Sequence, residues 1–161
     1  MSARFDMMGN PFALKFGKRF AAMSMLIEAS PLPKATKELV NLRASQINGC
    51  GFCTDMHTKD ATAAGESAVR LNLVAAWREA TVFTEAERAA LAPTEEATRL
   101  ADAYQGVSDQ TWATVREHYD DDQIAALVCL IGLINAANRM NVIVRQPAGS
   151  YQPDMFAEFV S

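Results

Sequence analysis

Asn48-Gly49-Cys50-Gly51-Phe52-Cys53-Thr54-Asp55-Met56-His57 sets two thiols three residues apart and an imidazole four residues beyond the second. Residues three and four apart on an α-helix lie one above the other on a single face, so a helical reading brings Cys50, Cys53 and His57 into one small volume. The preceding segment, residues 34–47, also reads as helix, with Leu39, Leu42 and Ile47 facing inward, Glu38 in its first turns and Asn48-Gly49 as its stop. A C-x-x-C that follows a helix rather than a strand does not fit a thioredoxin-type α/β pattern. The expected fold is all-α, with the cysteine pair at the N-terminus of a helix.

A disulfide between helical neighbours three apart is sterically allowed, because their Cα atoms lie about 5–6 Å from each other. Such a bridge closes almost no loop and stabilises little, so its use is chemical: a pair that opens and closes. Cys50 follows Gly49 at a helix start, where unpaired N–H groups and the positive dipole end favour a thiolate. His57 can take a proton from a thiol or give one to a leaving oxygen near neutral pH. Glu38 lies twelve residues before Cys50. An antiparallel pairing of the two helices about the Asn48-Gly49 turn would carry it to the same face.

The remaining chain is read as one helical domain spanning residues 1–161, of 17.6 kDa and about half apolar, long enough for a packed core. A net charge of −4 and the absence of a basic stripe argue against nucleic acid as a partner. No signal-peptide core is evident, and the longest apolar run, residues 124–134, is interrupted by Gly132 and too short to span a bilayer. A cytoplasmic protein without a membrane partner is expected. Three cysteines are too few for a secreted disulfide framework and suit one functional pair in a reducing compartment.

Asn10-Pro11 opens a helix whose Phe12, Phe16, Phe20, Met23 and Ile27 form an apolar stripe, closed by Pro31 and Pro33. The cysteine helix is expected to run to Ala64, with Gly65 as its stop. Residues 67–79 carry Val69, Leu73, Ala76 and Trp77 on one face, and Thr84-Glu-Ala-Glu87 is a capping box. Pro93 predicts a kink or break near Ala92, with the helix resuming to Tyr104. Ser108 caps a short helix to His118. Asp120, Asp121 and Asp122 precede a long helix to about Val144 that is apolar on every side and is expected to be central and buried. The tail from Arg145 to Gly149 reads as loop.

Each site residue has a competing reading. Zinc is the main rival: Cys50, Cys53, His57 and Glu38 together would supply four ligands, although no second C-x-x-C or H-x3-5-H accompanies them. Cys129, within Ala-Leu-Val-Cys-Leu-Ile, is expected to be an inert buried thiol. His118 at a helix C-terminus is favourable without any catalytic role. Trp77, Trp112 and the eight methionines read as core.

Glu38-x11-Cys50-x-x-Cys53-x3-His57, within residues 42–59, resembles the core of the AhpD-like alkylhydroperoxidases of the carboxymuconolactone decarboxylase superfamily. Ala75-Ala-Trp-Arg-Glu-Ala80, Thr84-Glu-Ala-Glu-Arg-Ala-Ala-Leu91 and Ile134-Asn-Ala-Ala-Asn-Arg139 extend the likeness over residues 25–149. The resemblance implies an all-helical fold assembled as trimers or hexamers, and a cysteine peroxidase reaction on organic hydroperoxides without haem, flavin or other cofactor. In that scheme Cys53 attacks the terminal peroxide oxygen and becomes a sulfenic acid, and Cys50 condenses with it to a disulfide. Glu38 and His57 form the proton relay. A dihydrolipoyl group on a partner protein, or another dithiol, reopens the bridge. Two positions depart from the pattern: Phe52 stands where the best-known members have histidine, and Ala137 where relatives often have tryptophan, leaving about one indole of volume to be filled.

The expected function is therefore a homo-oligomeric thiol-dependent alkyl hydroperoxide reductase for antioxidant defence. A lactone-acid decarboxylase of the same superfamily, which does not need the cysteine pair, and a non-enzymatic redox or zinc sensor are the alternatives.

Overall fold

A computed structural model describes residues 2–102, 105–153 and 155. Seven α-helices and one short 3-10 turn make up its regular structure, and the described residues contain no strand. The expected all-α class is the observed one.

Local chemistry explains most helix limits. In α1, Pro11–Glu28, Asn10 Oδ1 accepts the N–H groups of Phe12 and Ala13 at 3.0 Å and Pro11 fills the first helical position. The next helix, α2, is Lys34–Ile47. It ends in a Schellman motif: Gly49 has φ +65°, its N–H bonds Gln46 O, and Cys50 N–H bonds Ser45 O. Cys50 thus closes α2 and, one residue on, is the N-cap of α3, Gly51–Ala63. Helix α3 ends in the same motif, with Gly65 at φ +96° and Glu66 N–H on Ala61 O. Ser67 caps α4, Ala68–Leu73, which runs into the 3-10 turn Val74–Ala76. The Thr84/Glu87 capping box opens α5, Glu85–Thr98. Ser108 caps α6, Asp109–His118, and an Asp120/Gln123 box opens α7, Asp121–Val144.

Pro93 departs from expectation. Helix α5 passes through it unbroken to Thr98 instead of breaking near Ala92 and resuming; Tyr104, the expected far end, lies outside the described residues. An interior proline costs a helix about 3 kcal/mol. Here Ala89, Ala90, Leu91 and Thr94 are buried at 0–2% exposure among neighbours on α2, α6 and α7, and that packing holds the helix together.

Helix α2, not α7, is the central element. Every residue from Thr36 to Ser45 is buried, Lys37, Glu38 and Arg43 among them. The sequence looks too polar for that place because hydropathy does not register pairing. Lys37 Nζ donates to the carbonyls of Ile27 and Glu28 that end α1, Arg43 donates to Glu95 at 2.7 Å, and Ser45 Oγ donates to Asn41 O. Its apolar residues serve three clusters. Val40 packs with Ile27, Val115 and Leu127; Leu39 and Leu42 pack with Leu71, Trp77, Phe83 and Leu91; Ala44 packs with Cys50, Cys53 and Ile134.

Helix α7 is long and apolar enough to cross a membrane by length and composition, more so than the run 124–134 alone indicates. One face, with Ile124, Leu127, Leu130, Ile131 and Ile134, packs inside, while Val128, Val142 and Ile143 are exposed in the single chain. Cys129 is on that outer side, exposed rather than buried. The predicted α1 stripe is likewise mostly uncovered: Ile27 is buried, but Phe12, Phe16 and Met23 are exposed. Trp77 is core as expected, whereas Trp112 and Met8, Met23, Met25 and Met155 are on the surface.

Candidate active site

The turn joining α2 to α3 decides the geometry. Because Cys50 is both the last residue of one motif and the N-cap of the next helix, α3 folds directly against α2, and Cys53 and His57 follow on successive turns. His57 then meets Glu38: its Nδ1 lies 2.9 Å from Glu38 Oε2, with both residues buried. With the carboxylate as acceptor, Nδ1 carries the hydrogen, and Nε2 becomes the nitrogen that exchanges protons with a substrate. The four residues expected at the site are therefore gathered at the packed faces of α2 and α3.

Cys50 and Cys53 are free thiols at 2% and 1% exposure. Their environments push them in opposite directions. The Cys53 side chain hydrogen-bonds to Cys50 and lowers its pKa to about 6; burial opposes this, while the Cys53 backbone N–H, the Asn138 side chain and the charge of His57 assist. The same contact pushes the Cys53 thiol up, as do burial and the neighbouring Cys50 charge. The contact therefore favours the thiolate on Cys50 and the thiol on Cys53. Alkylation of Cys50, followed by peptide mass analysis to separate it from exposed Cys129, should rise through a midpoint near pH 6 and then level off, because the thiolate is the nucleophile. A midpoint at the ordinary thiol value, about 8.5, would show that the charge is not held there.

The supports of this pair on α7 escaped the sequence reading. Asn141 Nδ2 donates to Cys53 Sγ at 3.2 Å. Asn138 is fully buried; its Nδ2 donates to Ser45 Oγ at 3.0 Å and its Oδ1 accepts from Asn48 Nδ2 at 2.9 Å, a second bond from Asn48 reaching Asn135. Their signal is present in the sequence: Asn135, Asn138 and Asn141 recur every three residues along an otherwise apolar helix. A polar stripe at that spacing shares one face and, when buried, must find partners.

The tail read as loop is tied down over the cysteines. Asp55 Oδ2 accepts the N–H groups of Gly149 and Tyr151, and Lys59 Nζ donates to the carbonyls of the same two residues. Tyr151 OH reaches Asp60, and its ring meets Phe52 edge-on at 6.3 Å in the cluster that contains both cysteines. Phe52 is therefore a buried packing residue of the cysteine cluster. At the other departure from the family pattern, Ala137 lines a cavity of about 160 Å³ whose wall includes His57.

Glu38 and His57 are hydrogen-bonded to each other, and among the described residues no three His, Cys, Asp or Glu side chains stand together as a metal ligand set.

Comparison with known proteins agrees with this architecture. Residues 15–96 match the carboxymuconolactone decarboxylase family. Over 128 residues the chain is 38% identical to the uncharacterized protein YdfG of Bacillus subtilis, covering 80% of this chain and 86% of that one. It superposes with a TM-score of 0.84 and 35% identity on ATU0492 of Agrobacterium tumefaciens, a protein of unknown function proposed to be the antioxidant defence protein AhpD, over 93% of this chain and all of the other. The debrominase Bmp8 shares the fold at a TM-score of 0.73 and 17% identity, over 92% of this chain and 81% of its own. A fold so matched, with its cysteine turn within the matched stretch, makes the chain a member of the carboxymuconolactone decarboxylase family, with an AhpD-like fold.

Proposed function

We propose that this chain is a dithiol peroxidase that reduces organic hydroperoxides. The observation that carries the reading is the buried Cys50–Cys53 pair, packed in one cluster on the turn into α3, on the same helix as a Glu38-oriented histidine. The Cys50 thiolate takes the proton of the Cys53 thiol along their hydrogen bond, and Cys53 sulfur attacks the terminal peroxide oxygen. The O–O bond breaks, and protonated His57 gives its Nε2 proton to the departing alkoxide, releasing the alcohol. Cys53 is left as a sulfenic acid. Neutral His57 then takes the Cys50 proton, Cys50 sulfur attacks Cys53 sulfur, and the hydroxide leaves as water with the proton that His57 has just received. Two thiols lose two electrons to become a disulfide, and the peroxide gains them. Decarboxylation gives such a pair no task.

An external dithiol returns the disulfide to thiols, and a dihydrolipoyl group on a partner protein is the reductant inferred from the family resemblance. A cycle that needs re-reduction suits the cytoplasm. The exposed Phe12, Phe16 and Met23 of α1 and Val128, Val142 and Ile143 of α7 favour a homo-oligomer, a trimer or hexamer by the same resemblance.

The test uses purified, reduced protein and tert-butyl hydroperoxide. Alcohol should form with loss of one thiol pair, and peptide mapping should place a single disulfide between Cys50 and Cys53 while Cys129 stays reduced. Protein that keeps both thiols while the peroxide persists would overturn the reading.

A further inference from the structure

The cavity at Ala137 lies between α1, α2, α3 and α7. Phe20 and Ile27 on one side and Leu130, Ile134 and Ala137 on the other make most of its wall apolar; Ser24, Glu28 and Asn41 add polar groups, and His57 is the residue of the candidate site that lines it. Two of these residues also belong elsewhere: Ile134 is part of the cluster that holds Cys50 and Cys53, and Ala137 packs against it. Ile134 and Ala137 therefore border both the cavity and the cysteine cluster, and the imidazole held by Glu38 lines the cavity.

Volume limits the occupant. At about 160 Å³ the cavity matches the scale at which an apolar protein cavity of roughly 150 Å³ takes up benzene, so it suits one compact group of roughly six to ten heavy atoms. A long acyl chain or a peptide is too large for it. Hydrogen peroxide would gain nothing from its apolar wall.

Building on the peroxidase reading, we propose that this cavity seats the organic group of a compact apolar hydroperoxide, and that the small side chain at position 137 sets the preference for such substrates over hydrogen peroxide. With the organic group among Phe20, Ile27 and Leu130, the peroxide end lies toward His57, the proton donor for the departing alkoxide. Each methylene moved from water into the cavity is worth about fourfold in binding, so a half-open cavity that removes the equivalent of about three to four carbons from water should confer about 10²-fold in kcat/KM.

The experiment compares cumene hydroperoxide with hydrogen peroxide in wild type, Ala137→Trp and Ala137→Leu, and follows binding of cumyl alcohol, the unreactive product, to the reduced proteins by calorimetry. Wild type should prefer cumene hydroperoxide by about 10²-fold and bind cumyl alcohol. In Ala137→Trp, where an indole occupies the space, and to a lesser degree in Ala137→Leu, the preference should fall toward parity together with alcohol binding. Circular dichroism identifies a variant that has not folded, and the leucine variant, with its smaller added volume, keeps the test available. Equal kcat/KM for the two peroxides in wild type, or a preference and alcohol binding that survive in both variants, would overturn the inference and leave the peroxidase reading standing. Wild type that binds cumyl alcohol in an Ala137-dependent way but consumes no peroxide would overturn the peroxidase reading and retain the cavity as the seat of an apolar group.

Discussion

Cys53→Ser protein is expected to consume no organic hydroperoxide above the uncatalysed rate, because the sulfur that attacks oxygen is gone and a serine hydroxyl in that buried place is not ionised. Cys50→Ser should behave differently. It retains the attacking sulfur but loses both the base that accepts the Cys53 proton and the partner that closes the disulfide. A single slow turnover should follow, leaving a sulfenic acid on Cys53 that a dimedone-type probe tags. The distribution of charge sharpens the comparison. The Cys53 thiol, the Cys53 N–H and Asn138 favour the thiolate on Cys50. If charge alone selected the nucleophile, the Cys53→Ser protein would still react and the tag would be found on Cys50. A tag there, with Cys50→Ser inert, would reverse the assigned roles.

Glu38→Gln should lower peroxide reduction by about 10²–10⁴-fold with the fold intact, the range for losing one acid–base participant. The reason is proton placement. Glu38 accepts from His57 Nδ1 at 2.9 Å, which fixes the ring's tautomer and orientation. A glutamine amide can donate to Nδ1 instead, which moves the hydrogen to Nε2 of a neutral ring and removes its basic lone pair. His57→Asn should be impaired to a similar degree. Since the two residues act as one relay, the double variant should be little worse than either single one. Steady-state kinetics on the three proteins, with thermal melts to verify folding, settles the matter. Full activity in Glu38→Gln, or losses that multiply in the double variant, would show that the carboxylate does not act through the imidazole.

The two cysteines and the histidine were readable because their relation is local: spacings of three and four on a helix fix a shared face whatever that helix packs against. Helix starts were readable for the same reason, since Asn10, Thr84, Ser108 and Asp120 bond N–H groups only two or three residues ahead. The reading went astray where neighbours decide. Apolar content made α7 look central and polar content disguised α2, because the buried side chains of Lys37, Glu38 and Arg43 are hydrogen-bonded by groups on other elements. Pro93 was given its intrinsic cost without the packing that opposes it. Cys129 and Trp112 read as core by composition, but the core of the single chain reaches neither.

By itself the sequence determined an all-helical chain, the cysteine turn and the face that carries Cys50, Cys53 and His57, because helical periodicity and capping are set by bonds within a few residues. Only the tertiary structure decided that Glu38 meets His57 across nineteen residues, that Asn141 reaches Cys53 across eighty-eight, that Tyr151 closes over the pair and that Ala137 borders a cavity. Those relations depend on how helices pack, and packing is fixed by the fit of whole surfaces rather than by the spacing of residues along any one of them.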